Sequence, residues 1–297
     1  MTEIKSGFVS IVGRPNVGKS TLLNSLLERK VAITSHVSGT TRNIIDGIYT
    51  DDDSQIVFID TPGIHKPVNR LGNVMNQEAY QMMDEVDIVL FLIDVTKPFG
   101  KGDNFVLEKI KSLNKPVLLL LNKIDLIDKK QLLKLITDYS TLYDFKEIIP
   151  ISSLKGDNVD DLIKTIKKYL DREGYLYDPS KVTNIGRDFY IAEVVREKLL
   201  RFTKDEVPHT VTCLVESFEE NDKYIDIGVL IIVDRENLKK IIIGKNGQML
   251  KKVGIYARED IEEFLGKQVN LKTYVKVITE WREKEKFLRE LGFYSFK

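Results

Sequence analysis

The sequence predicts an α/β domain with a mostly parallel, doubly wound sheet, followed by a separate α+β domain. Short apolar strands alternate with helical segments from residue 7 to about 170, a pattern typical of a parallel sheet covered by helices. The periodicity stops at 171–180, where Gly, Pro and polar residues indicate a linker. Helices and strands then follow in a different order. We therefore predict domains at 1–172 and 187–297, joined by a linker at 173–186.

The elements of the first domain follow from the spacing of apolar residues. Strands are expected at 8–12, 44–50, 55–60, 88–94, 116–121 and 147–151. Helices are expected at 19–29, 72–84, 103–113, 129–142 and 158–170. The strand pair 44–50 and 55–60 is predicted to be antiparallel, because the polar turn at 51–54 that joins the two strands is typical of a hairpin.

In the second domain the pattern predicts a helix, two strands, a short helix, a glycine-containing turn, a longer helix, a strand and a terminal helix. The expected bounds of the helices and strands are 187–203, 208–218, 223–233, 235–243, 248–265, 268–278 and 280–291. The turn between the short and the longer helix is Gly244-Lys245-Asn246-Gly247.

Composition is that of a globular protein with about two domains, since 42% of the 297 residues are hydrophobic and 30% are charged. Basic and acidic residues number 45 each, so any surface for a polyanion has to be local. The single cysteine, Cys213, excludes an internal disulfide, suits a reducing compartment and is expected to be a buried structural thiol. The N-terminus lacks an apolar signal segment, and runs such as 117–121 are too short to span a bilayer. A cytoplasmic protein is expected.

Residues 13–20 have the sequence G-R-P-N-V-G-K-S and lie between a predicted strand and a predicted helix. In that context the motif predicts a P-loop, whose backbone N–H groups at a helix N-terminus bind phosphate. Lys19 is expected to reach the β- and γ-phosphates, and the Ser20 hydroxyl to bind Mg²⁺. An ordinary glycine-containing turn is the alternative, which the flanking strand and helix disfavour. The predicted phosphate-binding residues are Gly13, Arg14, Pro15, Asn16, Val17, Gly18, Lys19, Ser20 and Thr21.

Two further motifs predict the rest of a magnesium and γ-phosphate site. The strand at 55–60 ends in Asp60, whose carboxylate can hold Mg²⁺ through its water shell. Thr41 lies in a loop that can fold over the metal, and its hydroxyl is expected to join Ser20 and Asp60 as a metal ligand when the γ-phosphate is present. In isolation each motif is compatible with an ordinary turn or surface loop. The residues after Asp60 are also predicted to contact the nucleotide: Thr61, Pro62, Gly63 and Ile64.

The motif N-K-I-D at 122–125 follows an apolar strand, at the carboxyl end where ligands bind to open α/β sheets. The Asp125 carboxylate can accept two hydrogen bonds from guanine N1–H and N2–H₂, a donor pair that adenine lacks. We therefore predict selectivity for guanine nucleotides. Asn122 is expected at the other edge of the base, and the Lys123 stem on its face. After the next strand, the backbone at Ser152 and Ser153 is expected near guanine O6.

With these motifs present, the sequence resembles the translation-factor-related GTPases, and within them the Era family. The resemblance covers nearly the whole chain, because the later half is similar to a type II KH domain. It implies a P-loop GTPase domain followed by a KH domain, with GTP, GDP and Mg²⁺ as ligands. It further implies 16S small-subunit ribosomal RNA and the 30S subunit as partners, a role in 30S assembly, and peripheral contact with the cytoplasmic face of the inner membrane. A monomer is expected.

The chain departs from Ras-type GTPases at Ile64, where those enzymes have a Gln that orients the attacking water. An aliphatic side chain cannot do this. Resemblance to hydrophobic-substituted GTPases implies that Asn16 helps to hold K⁺, whose charge would stabilise the β–γ bridge. His65 is either a general base or an ordinary surface histidine. The predicted reaction is in-line attack of water on the γ-phosphate, with Lys19, Thr41, Asn16 and Gly63 as catalytic groups.

The G-K-N-G turn at 244–247 has the spacing with which KH domains clamp a nucleic-acid backbone. Residues 239–252 contain five lysines and no acidic residue, which concentrates positive charge at the turn. Ile241, Ile242 and Ile243 are expected to form the groove floor. A helix–helix turn with solvated lysines is the alternative. The predicted residues for single-stranded RNA binding are Lys239, Lys240, Gly244, Lys245, Asn246, Gly247, Lys251 and Lys252.

Other functions stay open on the sequence alone. A GTPase in membrane or cell-cycle signalling would use the KH-like half to dock proteins. A structural RNA-binding protein would have a degenerate nucleotide pocket, which the complete set of nucleotide motifs argues against. The segment 280–286, with Trp281, is either a helix that faces a membrane or partner, or a packed surface helix. In the leading hypothesis, GTP orders residues 36–43 and 64–72 and thereby changes how the RNA groove is presented.

Overall fold

The computed structural model describes residues 4–37 and 39–293, and it divides into two compact units. The first unit extends to Asn184, except for two short segments. The second unit begins at Ile185 and includes Asn69–Leu71 and the described part of Ser35–Thr40. Ser38, within the predicted switch segment 36–43, lies outside the described residues.

The first unit is built on one sheet in the order β2-β3-β1-β4-β5-β6, with β7 beside β1. Its strands are β1 (Lys5–Val12), β2 (Ile45–Thr50), β3 (Ser54–Asp60), β4 (Ile88–Asp94), β5 (Val117–Asn122), β6 (Glu147–Ile151) and β7 (Arg172–Glu173). Its helices are α1 (Lys19–Leu26), α2 (Arg70–Glu85), α3 (Lys101–Ile110), α4 (Lys129–Ser140) and α5 (Val159–Lys167). The β2–β3 pair is antiparallel, whereas β3–β1, β1–β4, β4–β5 and β5–β6 are parallel. The predicted α/β class and the predicted hairpin are confirmed.

The central strands β4 and β5 are buried along their whole length. A parallel sheet is covered on both faces, which is why these strands are continuous apolar runs without alternation. Because β1, β3, β4, β5 and β6 align, their carboxyl ends lie at the same edge of the sheet. That edge carries the loops of the predicted nucleotide motifs.

Helix α1 ends at Leu26, earlier than the predicted end at residue 29. The side chain of Asn24 explains the difference, because its Oδ1 accepts hydrogen bonds from the backbone N–H groups of Val31 and Ala32, both at 2.9 Å. Glu28 has a positive φ of 48°, which is incompatible with a continuing helix. These bonds fold the chain back onto the helix.

The segment predicted as a linker, 173–186, lies largely along the first unit. Strand β7 pairs with the start of β1. Gln55 Oε1 accepts hydrogen bonds from the N–H groups of Leu176 and Tyr177, at 2.7 and 2.8 Å. Ile48 donates its N–H to the Val182 carbonyl at 2.8 Å. These bonds involve backbone groups of the segment and not regularly spaced apolar side chains. The sequence pattern therefore showed only an interruption of the periodicity.

The second unit has a three-stranded sheet in the order β10-β9-β8. Strand β9 is antiparallel to β8 and parallel to β10. The strands are β8 (Thr212–Glu220), β9 (Tyr224–Val233) and β10 (Gln268–Val277). The helices are α6 (Arg187–Phe202), α7 (Val207–Thr210), α8 (Glu236–Ile243), α9 (Gln248–Leu265) and α10 (Glu285–Glu290), with 3₁₀ turns at Lys245–Gly247 and Trp281–Glu283. The predicted α+β class is confirmed.

Two elements of the second unit differ from the prediction. Strand β8 begins at Thr212 and not at 208, because Pro208 lies in the first turn of α7 and has no N–H for a sheet. The predicted helix 280–291 is divided into a 3₁₀ turn and α10. Trp281 is completely buried and its Nε1 donates to the Thr210 carbonyl at 2.7 Å. Of the two alternatives for the segment 280–286, the structure therefore agrees with a segment that is packed against the protein.

Cys213 is buried, as expected. Within the described residues no helix has the length and apolar character needed to cross a membrane.

Candidate nucleotide site and nucleic-acid interface

The loop between β1 and α1 approaches neighbouring loops so closely that only glycine fits at two positions. A Cβ on Gly18 would lie 2.4 Å from Asn122 Nδ2, and φ at Gly18 is 106°. A Cβ on Gly63 would lie 2.9 Å from Pro15 Cα. Gly18 also precedes the first turn of α1 without a side-chain cap, which leaves that turn's N–H groups to a ligand. The loop has the backbone geometry of an anion site at a helix N-terminus.

Lys19 lies buried across this loop. Its Nζ donates to the carbonyls of Gly13 and Arg14, at 3.4 and 3.3 Å. Burial lowers the pKa of Lys19, and the negative charge of Asp60 opposes that shift. A phosphate bound in the loop would bring further negative charge close to the buried Lys19 ammonium group and so stabilise its charged form.

The predicted metal ligands lie together at the edge of the sheet. Ser20 Oγ is 2.6 Å from Asp60 Oδ2 and 2.7 Å from Thr41 Oγ1, and Thr41 Oγ1 is 3.4 Å from Asp60 Oδ2. Burial raises the pKa of Asp60 to about 6, although Lys19 and both hydroxyls act in the other direction. Asp60 Oδ1 is buried without a hydrogen-bond partner among the described residues. Three hard oxygen donors and an unsatisfied carboxylate oxygen fit Mg²⁺, which prefers such ligands.

Asn122 joins two loops by hydrogen bonds. Its Nδ2 donates to the Val17 carbonyl at 2.7 Å, and its Oδ1 accepts from the N–H and the hydroxyl of Ser153, both at 2.9 Å. The side chain is only 2% exposed. We therefore regard Asn122 as a positioning residue that fixes the phosphate loop relative to the 152–153 loop. The expected place of Asn122 at the edge of the base stays a prediction.

Asp125 is oriented by one hydrogen bond and stays open to solvent. Its Oδ1 accepts the Ser152 hydroxyl at 2.6 Å, while the residue is exposed on the loop after β5. Lys123 reaches Asp94 Oδ2 at 2.7 Å and the Asn16 carbonyl at 3.1 Å. The Lys123 ammonium thus joins the end of β4 to the phosphate loop, while the Asp125 carboxylate is free to accept hydrogen bonds from a base.

Two acidic residues support the site and were not predicted. Asp94 binds Lys123, and Asp103, at 1% exposure, binds the Arg14 guanidinium at 2.9 Å. Arg14 is therefore directed toward α3. The Thr61 hydroxyl likewise donates within the protein, to the Ile11 carbonyl at 2.9 Å. An acidic residue at the end of a predicted strand was a usable signal for Asp94, but the sequence carried no signal for the Asp103–Arg14 pair.

Ile64 is completely buried in the apolar core of the first unit, and its N–H donates to the Gly13 carbonyl at 3.2 Å. The neighbouring His65 places Nδ1 3.2 Å from the Lys66 carbonyl. Among the described residues, His65 forms no hydrogen bond with Ser20, Thr41 or Asp60.

A cleft of about 340 Å³ lies beside α1 and the turn that follows it, and the sequence did not predict this cleft. Of the predicted site residues, Thr21 and Ser153 line it. The other lining residues are Asn24, Ser25, Glu28, Arg29, Lys30 and Leu154. The turn after α1 creates this cleft, and that turn depends on the Asn24 hydrogen bonds described above.

The second unit carries a groove of about 360 Å³ beside the 244–247 turn. φ is 69° at Gly244 and 73° at Gly247, and a Cβ on Gly244 would lie 2.7 Å from Met249 Cβ. The predicted floor is wrong, since Ile242 is in the core and Ile241 is half exposed outside the groove. The lining is Gly247, Leu250, Lys251, Gly254, Ile255, Arg258, Val269, Asn270, Leu271 and Thr273.

The predicted lysines are distributed over more than one surface. Lys251 lines the groove, and Lys245 with Asn246 is exposed on the turn. Lys252 lies on another side of α9, with its Nζ 4.2 Å from the centre of the Phe202 ring. Lys240 is exposed and Lys239 partly exposed on α8. A positive surface therefore continues around α9 and is not confined to the groove.

Both units of the chain match known protein families. A family of 50S ribosome-binding GTPases matches residues 8–123, and a KH domain family matches residues 206–282. The chain is 43% identical to a solved structure of Era in complex with MgGDPNP and nucleotides 1506–1542 of 16S ribosomal RNA. It is also 43% identical to an Aquifex aeolicus Era variant bound to GDP and AlF4⁻. Each match covers 97% of this chain and 99% of the other, with a TM-score of 0.95.

Proposed function

We propose that this chain, which belongs to the Era family of GTPases, is a GTP-hydrolysing switch that binds 16S ribosomal RNA and assists assembly of the 30S subunit. The observation that carries the proposal is the cluster of Ser20, Thr41 and Asp60 beside the P-loop. The groove at the 244–247 turn supports the RNA half of the proposal. We place its action in the cytoplasm, with a G domain at 1–172, a linker at 173–186 and a KH domain at 187–297.

Hydrolysis requires positioning and charge stabilisation more than acid–base chemistry. We assign Lys19, whose Nζ lies across the phosphate loop, to the β- and γ-phosphate oxygens, and the N–H of Gly63, which lies against Pro15 of that loop, to the γ-phosphate. Ser20, Thr41 and Asp60 would hold Mg²⁺, which neutralises charge on the phosphate oxygens when bound. Burial of Ile64 supports a water that is positioned by groups other than the side chain after Gly63.

Asn16 is the residue that we propose for a second cation. It is exposed on the phosphate loop with φ of 65°, and its carbonyl already accepts Lys123. K⁺ held there would place positive charge beside the β–γ bridge, where charge develops during the reaction.

Two neighbouring residues, Thr40 and Thr41, could couple nucleotide binding to RNA binding, because they belong to different units. Thr41 belongs to the metal cluster of the first unit, whereas its neighbour Thr40 belongs to the second unit. There, the buried Arg196 of α6 donates to the Thr40 carbonyl and pairs with Glu193 at 2.5 Å. We propose that movement of Thr41 on loss of the γ-phosphate is passed to Thr40, whose carbonyl is held by Arg196. If RNA affinity differs between GTP and GDP states, linkage requires the reverse effect as well.

A pair of substitutions tests both halves of the proposal. Lys19→Ala should abolish GTP hydrolysis and leave RNA affinity intact. Gly247→Asp should abolish RNA binding and leave nucleotide affinity intact, because it places a carboxylate where phosphate binds. Turnover by phosphate release and affinity for the 1506–1542 RNA by fluorescence anisotropy are the measurements. Normal turnover in Lys19→Ala, or normal RNA affinity in Gly247→Asp, would refute the corresponding assignment.

A further inference from the structure

An aromatic and basic cluster lies on α6 and α9, outside the groove. We define it as the aromatic face, composed of Arg201, Phe202, Lys252 and Tyr256. The Phe202 and Tyr256 ring centres are 5.2 Å apart. Lys252 Nζ is 4.2 Å, and the Arg201 guanidinium carbon 5.8 Å, from the Phe202 ring centre. We propose that the aromatic face binds single-stranded RNA that extends beyond the groove, with a base on Tyr256 and phosphates at Lys252 and Arg201. This inference rests on the proposed function.

The face is open and its charge is not neutralised. Tyr256 is 43% exposed, and Arg201 and Lys252 are both exposed. In the part of the chain that the structure describes, neither cation forms a salt bridge, although Lys198 nearby on α6 is paired with Asp260. Exposed aromatic rings beside cations without a carboxylate partner are a means by which proteins bind single strands without sequence readout, because bases stack on the rings.

The face is continuous with the groove through consecutive residues of α9. Lys251 lines the groove and Lys252 lies on the face; Ile255 lines the groove and Tyr256 lies on the face. Successive helical residues are separated by about 100° around the axis, so the two surfaces adjoin. Residues 248–257 include no acidic side chain, and the first acidic residue of α9 is Glu259. A strand that leaves the clamp therefore crosses the first turns of α9 without meeting a carboxylate from them.

The RNA in the related complex is longer than a KH clamp can hold. Nucleotides 1506–1542 are 37 nucleotides, counting both ends (1542 − 1506 + 1). A KH clamp holds about four nucleotides. Most of an RNA of this length would lie outside the groove, and the aromatic face is an adjoining surface that offers both a ring for stacking and positive charge.

The test compares a long and a short RNA on the full-length protein. Fluorescence anisotropy at fixed salt measures the Kd for the 1506–1542 RNA and for whichever fragment of about six nucleotides from it binds best. Tyr256→Ala should weaken binding of the long RNA about tenfold and leave the short fragment unchanged, since loss of one stacked base has an effect of this size. Tyr274→Ala is the matched control, because Tyr274 is 53% exposed on β10, away from the face, and should change neither.

A second variant distinguishes the loss of RNA contacts from a loss of folding. Arg201→Gln alters an exposed side chain and should reduce the slope of log K against log salt for the long RNA by about 0.7. Wild-type affinity of both variants for the long RNA overturns the inference. Equal weakening for long and short RNA also overturns it, because the residues would then act through the groove. If the unmodified protein binds neither RNA, the proposed function itself fails.

Discussion

Replacement of Asn122 by alanine tests whether this residue positions loops or contacts the base. Its side chain makes three hydrogen bonds at 2.7–2.9 Å, to Val17 and Ser153, in a site that is 2% exposed. Each bond contributes about 1 kcal/mol, so Asn122→Ala should destabilise the nucleotide-free first unit by about 3 kcal/mol. Affinity for GTP and GDP should fall together, because both loops of the site lose their common support.

Hydrogen exchange followed by mass spectrometry measures this effect in each unit separately. Peptides from 13–26 should exchange more than a hundredfold faster in Asn122→Ala, which corresponds to about 3 kcal/mol. Peptides from 187–202 in the second unit should be unchanged. Asp125→Asn is the matched control, since Asp125 is exposed and an amide still accepts the Ser152 hydroxyl. Its exchange should stay normal while its preference moves from guanine toward xanthine nucleotides.

Unchanged exchange in Asn122→Ala, together with a loss of guanine selectivity alone, would refute the reasoning. That result would assign Asn122 to the base edge, as the sequence motif first indicated. Unchanged guanine selectivity in Asp125→Asn would remove Asp125 from its proposed role.

Two further predictions concern the metal cluster and the phosphate loop. Burial raises the pKa of Asp60 to about 6, above the ordinary value of about 3.9. The ionised form of Asp60 is therefore less favourable in the folded protein than in the unfolded chain. The protein without Mg²⁺ should lose stability as pH rises through 6. Asp60→Asn should therefore raise the melting temperature of the nucleotide-free protein at pH 8 and abolish hydrolysis; a lower melting temperature at pH 8 would contradict the cause given for the shift. Replacement of K⁺ by Na⁺ should slow hydrolysis in the unmodified chain but not in Asn16→Ala, and equal rates in both salts would exclude the cation at Asn16.

The contrast between Asn122 and Asp125 shows how far a motif predicts a site. The letters N-K-I-D place both residues at the carboxyl end of β5, and the structure agrees. They do not indicate that Asn122 bonds to Val17, which is 105 residues earlier in the chain. That bond depends on β1 and β5 both lying beside β4, which no local pattern records.

The lysines of the second unit show the same limit. Their density at 239–252 is a property of the sequence, and it predicts positive charge near the turn. Lys251 and Lys252 nevertheless lie on different surfaces, because consecutive residues of a helix point in directions about 100° apart. Likewise, Ile241–Ile243 are apolar enough for a groove floor, but the packing of α8 places Ile242 in the core.

By itself the sequence determined most of the order of strands and helices, the hairpin, and the phosphate, metal and base motifs, because periodicity and short motifs are local. Only the tertiary structure decided which side chains support those motifs: Asn122 across two loops, Asp103 on Arg14, Asp94 on Lys123 and Lys252 on Phe202. These contacts join segments that are distant in the chain, and they exist only once sheet order and helix packing are fixed.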